Sequence, residues 1–492
     1  MCGFIGKIDA AAGIPANSRT SGTPTHPIAS GAWRGVAEAT DSKDLFSALP
    51  WLKRRGPDSQ NVWFSQNRRV GIMHARLAIV DKDPRANQPF SDPESGLTVV
   101  FAGEIYNFQE LKNKFSSFRF RTESDTEIIV AVFKEFGTAG LNLLKGMFSL
   151  AIIDERNKKI FLARDSVGKK PLYLARWQDN VFFGVSVLAL AAAGKKPVEI
   201  NPEVLAYYWE NAFIHPATSV LSGVRPVLPG QILELDWQGN EVRETRLQPE
   251  KKYLYRGESL ERVNQVVGIL LREAVKRRLE HNPKPTVLLS GGIDSTLVCK
   301  IAHDICKENS RPLEVITLKS LIPLTQDEAY ARFAARRMNL ALGLVKLDLN
   351  NIPDAVIRAL DLQDEPLGMT SFFLLERLIH AVSTHSKIVL SGDGGDEIFL
   401  GYGRPADWYA KERIERLKQK HSIIDSVRGI GLMIGVQLTS PGSQIVDKCL
   451  EKGLRINCTS DTVLRLMPAM IVTKSQIDEA VDILDSVLSG PG

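Results

Sequence analysis

The sequence predicts an α+β domain first, then an α/β domain with a doubly wound parallel sheet, and finally a small α+β unit. Its 492 residues, at about 150 per domain, suggest three domains. Short, apolar, β-rich runs between turn residues fill the chain up to about residue 190. After residue 256 strands alternate with helical segments, which is the pattern of a parallel sheet.

Composition excludes several classes of protein. The chain has 62 Lys and Arg against 57 Asp and Glu, a net charge of +5, which is too balanced for a basic nucleic-acid coat or an acidic disordered chain. Five cysteines without pattern argue against a disulfide framework or a zinc ribbon. No apolar run reaches the ~20 residues of a membrane span, and no signal peptide is recognised. We expect a cytoplasmic protein with no nucleic-acid or membrane partner.

The front part is predicted from short apolar runs and one helix. Strands are expected at Val99–Phe101, Ser149–Ile153 and Lys159–Ala163, each bounded by turn residues. A helix is expected over Asp125–Phe136, entered from Ser124. The stretch 17–31, rich in Ser, Thr, Pro and Gly, is interpreted as a surface loop.

The middle part has a different period. Helices are expected at Leu260–Leu279 and Ser295–Ile305, and buried strands at Thr286–Leu289, Leu313–Leu318 and Ile388–Leu390. Between the two parts, residues 201–255 form a connecting segment that ends in the charged stretch 250–256.

Cys2 is a candidate nucleophile. Removal of Met1, expected before a small residue, would leave a thiol and an α-amine of pKa ~7.7–8.0 on one residue. Taken alone, Cys2 is more readily explained as a small residue that starts a strand.

Five blocks downstream favour the catalytic interpretation. They are Arg55-Gly-Pro-Asp58, His74-Ala-Arg-Leu-Ala-Ile-Val-Asp81, Asn87-Gln-Pro-Phe90, Gly103-Glu-Ile-Tyr-Asn107 and Ser124-Asp-Thr-Glu127. Over residues 2–190 their order and spacing resembles the N-terminal-nucleophile glutamine amidotransferase domain of the asparagine synthetase family. That resemblance implies an antiparallel β-sandwich with helices.

The resemblance also implies roles for these residues. Cys2 attacks the side-chain amide of glutamine to give a γ-glutamyl thioester and ammonia. Arg76 would bind the substrate carboxylate, and Glu104 and Asp125 its ammonium group. The plainer interpretation of these charges is surface ion pairing. Further glutamine contacts are implied for Leu77, Ile79, Val80, Asn87 and Gly103.

Ala102 departs from the family pattern. The family has Asn here, whose side chain donates to the oxyanion, so only the backbone N–H of Gly103 matches that function. Loss of one such donor typically costs about 10²–10³ in rate. The sequence therefore predicts a weak glutaminase, with free ammonia as an alternative donor.

A glycine-rich loop follows the strand at Thr286. It has no Gly-Lys-Ser/Thr and so is not a Walker loop, but it resembles the pyrophosphate loop of the N-type ATP pyrophosphatases. The plainer alternative is a Gly-Gly turn between a strand and a helix. The implied ATP-binding residues are Leu288, Ser290, Gly291, Gly292, Asp294 and Ser295, with Asp294 also binding Mg²⁺.

A second acidic loop follows Ile388–Leu390. By resemblance Ser391 and Gly392 contact ATP, Asp396 shares Mg²⁺ with Asp294, and Asp393 lies near the acyl acceptor. Two further family blocks are matched by 327–331 and by 364–366 with Ser371.

The implied reaction forms an amide. A carboxylate, expected to be aspartate, attacks the α-phosphorus of Mg-ATP to give an acyl-adenylate and pyrophosphate, and ammonia then displaces AMP. The implied partners are glutamine, ATP and aspartate, and a homodimer is compatible with the sequence.

The last segment resembles another family. The Arg-Pro-Phe-Leu-Asp block and the later Lys of the synthetases are not found after Gly401 and Tyr402. Instead Val427–Val436, Lys448–Leu454 and later blocks resemble the small domain of class III, acetylornithine-type aminotransferases, with Arg465 at the substrate-carboxylate position. Because the matching large domain is absent, no pyridoxal phosphate is expected.

The resulting domain prediction is an amidotransferase domain at 2–200, a connecting segment at 201–255, a truncated synthetase domain at 256–407 and an aminotransferase-like segment at 408–492. Two other hypotheses remain: a catalytically impaired fusion product that binds glutamine or ATP, and an amidotransferase for another carboxylate.

Overall fold

A computed structural model describes eleven stretches of the chain: residues 2–9, 40–195, 199–248, 258–280, 284–319, 327–346, 352–368, 371–399, 405–430, 433–468 and 472–490. The expected loop at 17–31, the charged stretch 250–256, and Gly401 with Tyr402 lie outside these residues.

The front domain, residues 2–248, contains two six-stranded antiparallel sheets. The first has the order β10-β8-β9-β1-β3-β2 and the second β12-β11-β7-β6-β5-β4. The strands are β1 Gly3–Asp9, β2 Ser59–Phe64, β3 Val70–Arg76, β4 Phe90–Asp92, β5 Leu97–Ile105, β6 Gly146–Asp154, β7 Lys159–Arg164, β8 Tyr173–Trp177, β9 Asn180–Gly184, β10 Val224–Pro226, β11 Gln231–Asp236 and β12 Glu241–Arg246. The predicted strands near residues 99, 149 and 159 are the centres of β5, β6 and β7.

Helices cover the outer faces of both sheets. They are α1 Thr40–Ser47, α2 Leu49–Lys53, α3 Phe108–Lys114, α4 Thr126–Phe136, α5 Val187–Gly194 and α6 Pro202–Asn211, with 3₁₀ turns at Pro84–Ala86 and Gly137–Leu143. Between the sheets, Phe4 and Ile72 of one pack with Val100 and Ile153 of the other. Helix α4 packs on the outer face of the second sheet, and α1, α2 and α5 on the first. The predicted β-sandwich with helices is confirmed.

The middle part contains a four-stranded sheet in the order β15-β14-β13-β16, and its three pairings are all parallel. Its strands are β13 Thr286–Leu288, β14 Glu314–Lys319, β15 Gly343–Lys346 and β16 Val389–Leu390. The helices are α7 Leu260–Leu279, α8 Ile293–Glu308, α9 Asp327–Arg337, α10 Ile352–Asp361, α11 Phe372–Ser383 and the short α12 Gly395–Phe399. Helix α8 begins two residues earlier than predicted, directly after the Gly-Gly pair.

The C-terminal part is a four-stranded antiparallel sheet, β17-β18-β20-β19, packed against three helices. Its elements are α13 Pro405–Lys420, β17 Ile424–Ile430, β18 Met433–Leu438, α14 Ser443–Glu451, β19 Asn457–Thr459, β20 Val463–Leu466 and α15 Lys474–Leu488.

Contacts divide the chain into two compact units. One comprises residues 1–291 and 298–390, and the other 292–297 and 391–492. The predicted domain boundary at 407/408 lies inside α13, so that helix crosses it.

Candidate active site

Cys2 lies immediately before β1, at one end of the front domain. Its Sγ accepts a hydrogen bond from the Leu77 N–H at 3.3 Å, just beyond the end of β3. Burial raises the pKa of the thiol, while the contact with Leu77 and the nearby amino terminus favour the thiolate. A main-chain donor just after β3 therefore orients the sulfur of Cys2.

Arg76, the last residue of β3, is 6% exposed and firmly oriented. Its Nη1 donates to Asn87 Oδ1 at 2.8 Å and to the Asp83 carbonyl at 3.2 Å. Its Nη2 donates to the carbonyl of Asp81. The guanidinium is thus positioned by neutral acceptors, which leaves its charge without a carboxylate partner among these contacts and suited to an anionic substrate group.

Glu104 and Asp125 form a pair of interacting carboxylates. Asp125 accepts the Ile105 N–H at 3.0 Å, which ties the start of α4 to the end of β5. Burial raises the pKa of both groups, and the Asp125 charge raises that of Glu104 further. Both also act electrostatically on Cys2. A bound ammonium group would offset both the burial of these two carboxylates and the repulsion between their charges.

Gly103 sits where no side chain fits. A Cβ on this residue would lie 2.0 Å from the carbonyl oxygen of Met147 on the paired strand β6. Its neighbour Ala102 is 1% exposed and belongs to the inter-sheet cluster against which Cys2 packs. The side chain at position 102 therefore faces the nucleophile's side of β5, and as alanine it contributes no donor there.

The remaining glutamine-site residues lie along the same loop. Leu77, Ile79 and Val80 follow Arg76 and are partly exposed. Asn87 also accepts from the Ser59 hydroxyl at 3.0 Å, so it links Arg76 to β2. The structure thus brings together the predicted residues of the front domain at one end of the sandwich.

Sequence reasoning missed part of this site. The carbonyls of Asp81 and Asp83 hold Arg76, and main-chain acceptors leave no residue-type signal. Lys170 is 4% exposed, and burial lowers its pKa to about 8, with Glu104 and Asp165 as nearby carboxylates. Nothing in the spacing around Lys170 distinguishes it from a surface lysine.

The phosphate loop follows the predicted order of strand, glycines and helix. Leu288 ends β13, Ser290 and Gly291 follow, and α8 begins at Ile293. Gly291 has φ +86°, and a Cβ there would lie 2.4 Å from the Ala331 N. The family block at 327–331 therefore packs against this glycine, a contact that the sequence did not reveal.

The second acidic loop packs against the first turn of α8. A Cβ on Gly392 would lie 2.6 Å from the Ser295 N, and one on Gly395 would lie 2.5 Å from Asp294 Cγ. Ser391 Oγ donates to Asp393 Oδ2 at 2.7 Å. The structure thus brings Asp294 to the residue next to Asp396, and the small glycines permit that approach.

This donor set fits magnesium bound with a nucleotide. Mg²⁺ is usually held by one or two carboxylates together with substrate phosphates. Within the described residues no group of three or more His, Cys, Asp or Glu could hold a metal by itself. Asp294 and Asp396 are thus compatible with a metal that arrives with ATP.

Two parts of the chain match known protein families. Residues 30–247 match the glutamine amidotransferase domain, and residues 267–461 match asparagine synthase. Each of these two matches covers less than half of the chain, and their order along it is the one that the sequence blocks indicate. The second match continues to residue 461 and so covers much of the segment whose order of blocks resembles the aminotransferases.

The curated relatives are longer than this chain, and their sequence identity with it is low. "Amidase chry2" of Gibberella zeae is 29% identical over 82% of this chain and 59% of its own length. "Asparagine synthetase [glutamine-hydrolyzing] 2" of Bacillus subtilis is 29% identical over 82% of this chain and 52% of its own. The chain thus spans between half and three fifths of the length of these two relatives.

Solved structures give weaker likenesses. A glutamine phosphoribosylpyrophosphate amidotransferase from B. subtilis superposes with a TM-score of 0.35 and 16% identity, covering 70% of this chain and 81% of its own. An acetylornithine aminotransferase from Elizabethkingia anophelis gives a TM-score of 0.18 and 14% identity over 46% of this chain and 71% of its own. None of the helices in the described residues is long and apolar enough to cross a membrane.

Proposed function

We propose that this protein is a glutamine-dependent amide synthetase of the asparagine synthetase type, with aspartate as the expected acceptor. Cys2 releases ammonia from glutamine. A carboxylate attacks Mg-ATP to give an acyl-adenylate and pyrophosphate, and ammonia displaces AMP. The observation that carries the proposal is the combination, in one chain, of a nucleophile-centred glutamine site with glycine-rich loops that bring Asp294 beside the 391–396 loop.

The glutamine site supports the first half-reaction. Glutamine carries a carboxylate and an ammonium group, and the site offers an oriented cation, Arg76, and two carboxylates, Glu104 and Asp125. The side-chain amide would then extend towards Cys2, whose sulfur is held by the Leu77 N–H. The α-amine freed by Met1 removal would accept the thiol proton and pass it to the leaving ammonia.

The loops at 290–296 and 391–396 support the second half-reaction. Backbone N–H groups at the start of α8 face a phosphate more closely because Gly291 and Gly292 carry no side chains. Mg²⁺, held by Asp294 and Asp396, would neutralise phosphate charge. Ser290, Ser295, Ser391 and Gly392 are proposed to contact ATP, and Asp393 the acceptor.

Ala102 is proposed to weaken the glutaminase. The thioester forms through a tetrahedral intermediate whose oxyanion needs preorganised donors. The N–H of Gly103 is one, and the side chain at 102 supplies none. The synthetase half would then use free ammonia at a comparable or higher rate than glutamine.

Pyrophosphate release from Mg-ATP tests the proposal. We expect release that depends on aspartate and continues with either glutamine or ammonium chloride as the nitrogen source. The amide is identified by mass spectrometry. Binding of ATP without release, in the presence of aspartate and ammonia, would contradict the assignment.

A second candidate is an amidotransferase for another carboxylate. It is favoured by the relatives named amidases, since one of them, "Amidase chyE" of Penicillium rubens, is also 29% identical, over 73% of this chain. Pyrophosphate release with a panel of amino and aromatic acids, but not with aspartate, would select this candidate. The third hypothesis, an impaired fusion product, predicts no release with any acid.

A further inference from the structure

A short segment of the middle part, residues 361–368, lies on the front domain. At its first residue, the carbonyl of Asp361 accepts from Arg54 Nη1 at 2.6 Å. At its last residue, the Gly368 N–H donates to the Ala212 carbonyl at 2.9 Å. A Cβ on Gly368 would lie 2.5 Å from Ala212 Cβ, so the two backbones are in direct contact. The segment is therefore fixed at both ends.

Two adjacent carboxylates fix its centre. Asp364 Oδ1 accepts from the Ser186 hydroxyl at 2.9 Å. Glu365 Oε2 accepts from the Tyr173 hydroxyl at 3.0 Å, and its Oε1 from the Val220 N–H at 3.0 Å. All three donors belong to the front domain, so the Asp-Glu pair of a family block without an assigned role is an acidic anchor between two parts of the chain.

The anchor lies beside an arginine that contacts the nucleophile. Arg55 Nε donates to the Cys2 carbonyl at 3.4 Å, and a Cβ on Gly3 would lie 3.3 Å from Arg55 Cβ. Its Nη2 is buried without a hydrogen-bond partner among the described residues. Burial lowers the pKa of Arg55, and Asp364 is the largest of the charges that oppose this effect. Asp364 is therefore the main compensation for a buried cation adjacent to Cys2.

We propose that Asp364 is a positioning residue of the glutaminase centre, which holds the Arg55 guanidinium against the backbone of Cys2, and that Glu365 fixes the segment that carries Asp364. A buried guanidinium that loses its compensating charge is strongly destabilised and moves towards water. The thiolate of Cys2 would then lose a nearby cation. The inference uses the proposed function only in taking Cys2 as the nucleophile.

The test measures Cys2 itself and needs no turnover. The full chain is alkylated with iodoacetamide from pH 6 to 10, and peptide mass spectrometry reports the rate at Cys2 and the removal of Met1. Besides Arg55, the charged groups that face this thiol are the amino terminus, Glu104 and Asp125. We expect Asp364→Asn to slow alkylation at neutral pH by about three- to tenfold and to move the profile to higher pH.

A double-mutant cycle separates positioning from a direct effect. In an Arg55→Gln background, the same Asp364→Asn change should alter the rate less than about 1.5-fold. Faster alkylation, an unchanged rate, or an equal effect in both backgrounds would overturn the proposal. Asp361→Asn is the matched control, because this exposed residue contacts the front domain through its backbone carbonyl.

A milder variant covers the case in which Asp364→Asn does not fold. Tyr173→Phe removes the hydroxyl that donates to Glu365 and leaves the ring in place. We expect it to slow alkylation about twofold, and no change would contradict the role of Glu365. Since iodoacetamide reports the thiol without ATP or glutamine turnover, failure of the amide synthesis assay and failure of this test are distinguishable.

Discussion

The proposed glutamine site and the proposed ATP loops are built in different ways. In the glutamine site the side chains are buried and already oriented: Arg76 and Asp125 are each 6% exposed and bound by main-chain groups. In the ATP loops the neighbouring side chains face outward, with Ile293 86% and Ile398 74% exposed. The side chains of the first site are therefore oriented before a ligand binds, whereas the second site presents main-chain N–H groups and carboxylates at the ends of short strands.

The difference follows from the two sheets. A sandwich buries the ends of β3 and β5 under loops and helices, so that hydrogen bonds select one conformation of each side chain. A parallel sheet binds ligands beyond the carboxyl ends of its strands, where the loops are open before nucleotide binds. We therefore expect single substitutions to act sharply on glutamine use, and the ATP reaction to depend on ligands that arrive together.

Cys2→Ala is expected to have the largest effect. Loss of the nucleophile should lower glutamine-dependent amide formation by about 10⁴-fold or more, because no other group can form the thioester. Synthesis with ammonium chloride should stay within twofold of wild type. Loss of both activities together would contradict this difference between the two sites, since it would show that the ATP loops need an intact glutamine site.

Asp294→Asn should impair the ATP reaction and spare glutamine hydrolysis. We expect pyrophosphate release to fall about 10²-fold, because one of two carboxylates for the metal is neutralised. Basal glutaminase should change less than twofold. The matched control is Asp304→Asn on the same helix, a partly exposed residue paired with Lys300 four residues earlier. Equal losses in both variants would contradict a metal-binding role.

Ala102→Asn should raise activity. A side-chain donor beside Gly103 is expected to increase the glutaminase kcat at least about tenfold, within the 10²–10³ that one such donor supplies. Because position 102 is buried, the amide should also lower the free energy of unfolding by about 1–3 kcal/mol. Ala102→Val, which adds volume without a donor, is the control. No gain in kcat would refute the proposed deficit.

From the sequence, β-rich runs predicted three strands that lie in the second sheet of the front domain, and the family resemblance implied the sandwich and the candidate residues near Cys2. It placed Asp125, but not the bond from Ile105 that orients it. It also gave no role to Asp364 and Glu365, because their partners Ser186 and Tyr173 are more than 175 positions away. Contacts between distant segments depend on packing, which residue spacing does not encode.

Glu104 gives the proposed glutamine site a pH dependence. Burial and Asp125 raise its pKa from 4.5 to about 8. The folded state then binds more protons than the unfolded state between these values, so stability falls as pH rises through that range. From pH 5 to 8 we expect the free energy of unfolding, measured in urea, to fall about 1–2 kcal/mol less in Glu104→Gln than in wild type. Identical slopes would show that Glu104 is not desolvated.

The smallest expected effect concerns an ion pair that joins the two regions. Lys387 Nζ, just before β16, lies 2.6 Å from Asp58 Oδ2 of the front domain, and both side chains are more than a third exposed. Since water and salt screen such a pair, Lys387→Ala should cost about 0.5–1 kcal/mol of unfolding free energy, and less at 1 M NaCl.

Asp58→Ala is the informative counterpart, because Asp58 Oδ2 also accepts the Ala78 N–H at 2.7 Å. We expect it to cost about 1–2 kcal/mol, with a smaller salt dependence, since a main-chain donor loses its acceptor. Equal losses of unfolding free energy in the two variants would show that Asp58 stabilises the protein only through the ion pair. The larger cost for Asp58 would mean that the front domain uses this carboxylate mainly for its own loop after Arg76.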